Sequence, residues 1–251
     1  MIIIFKGVFY FMIPIILDLI IIILVYCSPY IFYMYKMNSN NDDFKIFSFK
    51  NILFTLFYGL IILISPSMFA NTLPFIMVII TIFVMKRNND IDYAYYKFNE
   101  LKISSAIKYS LVGYIISIVA SMIWIGLLSL LKVNFKQQEV VSMLSDYDLI
   151  TFIASIAPIV IFAPILEEFV FRFILFEKVF NKFLPKILSA ILSSLIFSII
   201  HFSLTAFLVL FTISMINCYL VEKKGFWYAV SLHTLVNFMT TISLLSQKLI
   251  A

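Results

Sequence analysis

The feature that most constrains this chain is the length of its uninterrupted apolar runs. Gly7 to Tyr35 and Ile187 to Val221 each exceed the roughly 18 to 20 apolar residues an α-helix needs to cross a bilayer. Inside hydrocarbon every backbone N–H and C=O must be satisfied within the chain, so runs of this kind become helices. Composition agrees: 63% of residues are hydrophobic, 12% are charged and only 5 are glycine, whereas soluble domains are nearer half apolar and a quarter charged. The expected fold class is all-α, a polytopic transmembrane helical bundle of about eight spans in one integral-membrane domain, residues 1–251. The first run is too long for a signal-peptide core and lacks a small-residue cleavage site, so it reads as a retained span.

Turn signals divide the chain into helices over Val8–Tyr35, Phe49–Ser65, Thr72–Met85, Ile107–Leu131, Leu149–Phe176, Ile187–Phe202, Thr205–Val221 and Phe226–Leu245. Ser65-Pro66-Ser67 and Asn71 separate the second helix from the third. The run from Ile187 is roughly 50 Å long at 1.5 Å per residue, too long for one span, and is broken just after His201. Basic residues support this count. Lys36, Lys45, Lys50, Lys86, Arg87, Lys97, Lys102 and Lys108 follow the first and third helices, and Lys178, Lys182, Lys186, Lys223 and Lys224 the fifth and seventh. The opposite face holds only Lys6, Lys132, Lys136 and Lys248, so the positive-inside rule puts both termini away from the cytoplasm. The net charge of +5 is therefore topogenic and implies no nucleic-acid partner. Lys86 to Lys108 is the longest polar connector and reads as a surface loop or interfacial helix. Cys27 and Cys218 lie in apolar segments and read as packing residues.

Against this background the run Glu167-Glu168-Phe169-Val170-Phe171-Arg172 stands out. Each of its three charges costs roughly 2.5–3.5 kcal/mol at membrane depth, so they must pair or perform chemistry. Glu168 and Arg172 are four apart and can pair along one helix face. Glu167 points about 100° away and is free to face something else. The only two histidines, His201 and His233, also lie in apolar segments, and Asn237 shares a helix face with His233. Helix-length arithmetic puts Glu167, His201 and His233 in the middle third of a roughly 30 Å core, nearer the lysine-rich face. A structural charge cluster accounts for Glu168 and Arg172 but leaves Glu167 without a partner.

The set has the parts for acyl hydrolysis. A desolvated carboxylate beside a histidine can hold a water and take its proton, and histidine and asparagine donors can stabilise an oxyanion. The competing chemistry is a metal site, with Glu167, His201 and His233 as ligands and an open position for water. The helical zinc signature H-E-x-x-H is absent, so no cofactor is expected and zinc is the disfavoured alternative.

Glu167-Glu168-x-x-x-Arg172, Phe197-x-x-x-His201 and His233-x-x-x-Asn237, in that order over about 70 residues, resemble the motifs of the CAAX prenyl protease and bacteriocin-processing (CPBP, Abi) family of intramembrane endopeptidases. The resemblance covers residues 149–251; residues 1–148 match only in being hydrophobic and have no assigned role. It implies an eight-helix core with a conical cavity open to membrane and cytosol. It also implies that Glu167 activates water with His201, that His233 and Asn237 form the oxyanion site, that Glu168 and Arg172 organise the site, and that no metal is essential. Phe173 departs from the pattern, standing where many members have a glycine.

By this analogy the chain is an intramembrane endopeptidase. Its substrate would be a prenylated C-terminal motif, a pheromone or bacteriocin precursor, or a membrane-protein segment. Small size favours a bacterial cell-membrane enzyme of peptide processing or bacteriocin self-immunity. The alternative is a non-catalytic immunity factor or scaffold of the same fold. A proton-coupled transporter with a Glu167–His201 relay has less support, because no paired broken-helix repeat appears. Asp18 reads as a structural hydrogen bond or a cavity-lining residue, Trp124 and Trp227 as packing and interface anchors, and Asn71 and Asn217 as turn and interhelical contacts.

Overall fold

A computed structural model describes residue 16 and residues 18–41, 44–65, 70–133 and 138–250. The expected beginning of the first span at Val8, together with Lys6, Pro66, Ser67 and Lys136, lies outside the described residues. Among the described residues the fold is helical throughout, without strands. We label the helices α1 (Asp18–Ser39), α2 (Phe49–Ile64), α3 (Thr72–Arg87), α4 (Ile103–Leu130), α5 (Glu139–Asp146), α6 (Leu149–Lys182), α7 (Lys186–Ile199), α8 (Leu204–Lys224) and α9 (Phe226–Ile250). α1, α4, α6, α8 and α9 are long and apolar enough to cross a membrane, whereas α2 and α7 are shorter apolar helices. The protein is thus a helical membrane bundle. Each expected helix has a counterpart, and α5 is one that the sequence reading did not contain.

Local chemistry sets the helix ends. Ser48 Oγ accepts from the Asn51 N–H at 3.3 Å to start α2, and Ser203 does the same for Ala206 at the head of α8. Asp148 caps α6, accepting the Thr151 N–H at 2.9 Å and its hydroxyl at 2.8 Å. Gly225, at φ 109°, makes the tight reversal between α8 and α9, and its N–H returns to the Leu220 and Val221 carbonyls.

Large apolar side chains such as Ile103, Ile115, Met122 and Leu130 stay exposed along α4, as expected of a lipid-facing surface. The interior is packed by close approach and by rings. At Gly113 on α4 a Cβ would come within 2.7 Å of the Leu232 side chain on α9, so glycine lets these helices touch. Ser189, Ser193, Ser194 and Ser198 are all buried and bring the small-residue face of α7 against its neighbours. Phe75 of α3 stacks on Phe162 of α6 with centroids 4.3 Å apart, and Phe32 of α1 meets Phe169 and Phe173 edge-on. Trp124 and Trp227 each anchor a junction, donating to the Leu204 and Tyr96 carbonyls respectively.

The connector after α3 is a largely exposed surface segment, as expected. It winds into two 3-10 turns, Ile91–Tyr96 and Phe98–Glu100, tied down by charge. Lys36 Nζ lies 2.8 Å from Asp90 and 2.7 Å from Asp92, and Asp92 also pairs with Lys178. This network joins the end of α1, the connector and the end of α6 on the lysine-rich face.

Candidate active site

The site is organised by α6, which is not a uniform α-helix. It takes π geometry over Pro158–Phe162 and again over Phe169–Val179, bracketing the α-helical turn Ala163–Glu168. Such π insertions re-aim side chains and often occur at functional sites. In the first, the Ala163 N–H bonds the Pro158 carbonyl, five residues back. Continuing that register would pair the Ile159 carbonyl with residue 164, a proline with no N–H. The side chain of Asn237 fills the gap, donating to Ile159 O at 2.9 Å. Ser193 similarly donates to the Phe171 carbonyl at 2.7 Å. Polar side chains on α7 and α9 thereby fix the distorted helix to its neighbours.

The two glutamates on this helix have different surroundings. Glu168 and Arg172 are fully buried, with Glu168 Oε2 2.9 Å from Arg172 Nε. The guanidinium lies over the Phe197 ring, 4.7 Å from its centroid. Glu168 Oε1 accepts from His233 Nδ1 at 2.7 Å and from Asn217 Nδ2 at 2.8 Å. The expected ion pair therefore exists, and Asn217 is an interhelical contact, as its position suggested. What the sequence did not reveal is that both converge on Glu168. Arg172, Asn217 and His233 together tie α6 to α8 and α9 and fix the His233 tautomer with its hydrogen on Nδ1.

Glu167 keeps part of its side chain accessible (19%) and its Oε2 has no hydrogen-bond partner. That oxygen lies 3.6 Å from His233 Nε2, too long for a direct hydrogen bond. That oxygen is itself inaccessible, so the accessible part of the Glu167 side chain lies elsewhere on the residue. His201 lies beyond the end of α7, which stops at Ile199, on a turn that Phe202 completes with φ 45°. Its Nδ1 bonds the Phe197 carbonyl at 2.6 Å, which leaves Nε2 for other partners. Glu167, His201, His233 and Asn237 all line one cavity of about 310 Å³, together with Ile159, Ala163 and residues of α4, α5 and α8.

The structure adds four details. The imidazole nearest Glu167 is that of His233, because the Glu168 bond turns its Nε2 toward Glu167. Asn237 spends one amide hydrogen on Ile159, so at most one remains for an oxyanion. His201 sits on a turn and not within a helix, and the cavity extends toward the lysine-poor face and not the lysine-rich one. Asp18 is exposed near the start of α1 and does not line this cavity. Among the described residues no three His, Cys, Asp or Glu side chains converge at metal-binding spacing. Glu167, His201 and His233 thus do not fit the ligand set of a metal site as they stand.

A polytopic helical membrane protein with a carboxylate–imidazole cluster inside its bundle is the class that fold and site define. Within it, residues 149–239 match the model of a family described as Rce1-like, type II CAAX prenyl endopeptidase. The match supports a CAAX-type intramembrane endopeptidase at the level of the family, and it runs from α6 into α9, spanning Glu167, Glu168, Arg172, His201, His233 and Asn237. α4 and α5, which wall the cavity, lie outside it. No curated protein and no solved structure matches the chain.

Proposed function

We propose that this protein is an intramembrane endopeptidase that hydrolyses a peptide bond with water activated by Glu167. The observation that carries the reading is the division of labour between adjacent carboxylates. Glu168 is ion-paired with Arg172 and accepts from His233 and Asn217, while Glu167 lines a cavity, has no cation paired with it other than a 3.6 Å imidazole contact and makes no hydrogen bond through its Oε2. A merely structural pair would not need the second carboxylate, which costs roughly 2.5–3.5 kcal/mol at this depth.

In this reading a water rests against Glu167 and the free Nε2 of His201. Glu167 takes one of its protons as the oxygen attacks the substrate carbonyl carbon. The tetrahedral oxyanion faces Nε2 of His233, which donates in its protonated form, and the remaining amide hydrogen of Asn237. Collapse breaks the C–N bond, and Glu167 returns its proton to the leaving amine. Glu168 and Arg172 are positioning residues that hold His233. The substrate is a peptide or membrane-protein segment, processed as a prenylated or peptide precursor. Residues 149–251 form the catalytic core, and α4 and α5 add walls to its cavity.

The test is cleavage of a quenched peptide library by the protein reconstituted in lipid. Glu167→Gln keeps the volume of the side chain but not its basicity, and removing a general base lowers turnover by about 10²–10⁴. Wild-type turnover in this variant would sink the assignment.

A further inference from the structure

The direction in which the cavity opens is set by two different halves of the bundle. Its lining includes Asn71 at the head of α3, Ser121 in the last third of α4, Gln138 before α5, Leu144 on α5 and Thr240 on the far half of α9. All of these lie toward the lysine-poor face. Toward the lysine-rich face, Phe169 and Phe173 follow Glu167 down α6, and Phe226 begins α9. These rings and Tyr96 are buried and pack against one another with centroids 4.8 to 6.1 Å apart. None of the four lines the cavity. Phe173, where many of the proteins this chain resembles have glycine, is thus part of a filled aromatic layer. On the same face the Lys36–Asp90–Asp92–Lys178 network staples α1, the connector and α6 together.

We propose that substrate reaches Glu167 from the lysine-poor face, which the positive-inside rule makes the extracytoplasmic one. The substrate is then a peptide segment presented on the outer side of the membrane. Glu167 is the one carboxylate or ammonium-type charge among the described cavity-lining residues, which also include the imidazoles of His201 and His233. The choice of a peptide rests on the peptidase reading; the direction of access does not.

The experiment separates the two. Ser121→Cys, Thr240→Cys and Lys182→Cys are each probed with a membrane-impermeant sulfonated maleimide in right-side-out and in inverted vesicles. The wild type, with Cys27 and Cys218, sets the background. Ser121→Cys and Thr240→Cys label in right-side-out vesicles and lose label in inverted ones, while Lys182→Cys does the reverse. Two cavity positions are used so that one misfolded variant does not decide the outcome. Labelling of both cavity positions only in inverted vesicles, or in neither preparation, overturns the proposal. An inactive site with outward labelling defeats the peptidase reading alone, and inward labelling with intact Glu167-dependent cleavage defeats the access route alone.

Discussion

Two charge clusters hold this bundle together, and they differ in what they leave over. On the lysine-rich face, Lys36 and Lys178 meet Asp90 and Asp92, two ammonium groups against two carboxylates. Within the bundle, two carboxylates meet one guanidinium and one imidazole; Glu168 Oε2 lies against the Arg172 guanidinium, whereas Glu167 Oε2 has neither a hydrogen bond nor a guanidinium beside it. The first cluster is balanced and ties segments together. The second has a surplus group at a cavity wall, and the surplus is where chemistry can occur. Intramembrane charge is therefore informative when it fails to cancel.

The largest expected effect sets Glu168 against Glu167. Glu168→Gln leaves Arg172 as a fully buried cation without a counter-charge, which costs about 3–5 kcal/mol. Thermal unfolding in detergent micelles should show this loss, whereas Glu167→Gln should unfold like the wild type while losing cleavage. Equal stability losses in the two variants would erase the distinction between a structural and a chemical carboxylate.

Lys36→Met tests the balanced cluster. It leaves the largely but not fully buried Asp90 and Asp92 with Lys178 alone, at a cost of about 1–3 kcal/mol, between the exposed and fully buried limits. Salt sharpens the contrast. Screening acts on charges near water and far less on buried ones, so raising ionic strength should narrow the gap between Lys36→Met and wild type and leave the Glu168→Gln gap unchanged. A salt-insensitive Lys36→Met would mean that the two clusters lie in equally dry surroundings.

A smaller effect falls on Asn237→Ala, which removes the donor to the part-buried Ile159 carbonyl. An unsatisfied group of this kind costs about 1–3 kcal/mol. In the proposed mechanism the same amide faces the oxyanion, so cleavage should fall as well. Asn237→Asp, which supplies no N–H, should not recover the stability.

These contrasts explain what was legible in the sequence. The cluster on α6 was visible because Glu167, Glu168 and Arg172 interrupt apolar sequence, where charge needs a reason. His201, His233 and Asn237 were found for the same cause, and they do line one cavity with Glu167. Lys36, Asp90 and Asp92 were invisible, because a polar connector carries such residues whether or not they pair. Asn237's bond to Ile159 depends on the π register that Pro164 leaves incomplete, and nothing in the spacing of side chains encodes that register. α5 was missed because it is only 8 residues long and stands in a polar stretch. The early end of α7 followed from the turn at Phe202, a left-handed conformation with no glycine to signal it.

The smallest effect adds the exposed limit to the comparison. Asp148 is fully solvent-facing, and its carboxyl titrates below the ordinary value because the Thr151 N–H and then the Thr151 hydroxyl bond its charged form. A group with a depressed folded-state pKa stabilises the fold above its unfolded pKa, near 3.9 for aspartate, and loses that contribution as pH falls through the folded value. Asp148→Asn should therefore unfold slightly below wild type near neutral pH. The difference should shrink in acid, once the wild-type carboxyl is protonated. Asparagine still caps helices well, so the neutral-pH gap isolates the charge and its attraction to the helix N-terminus. A gap that persists unchanged into acid would assign the cap to hydrogen-bond geometry alone and take this residue out of the electrostatic series formed by Glu168, Lys36 and Asp148.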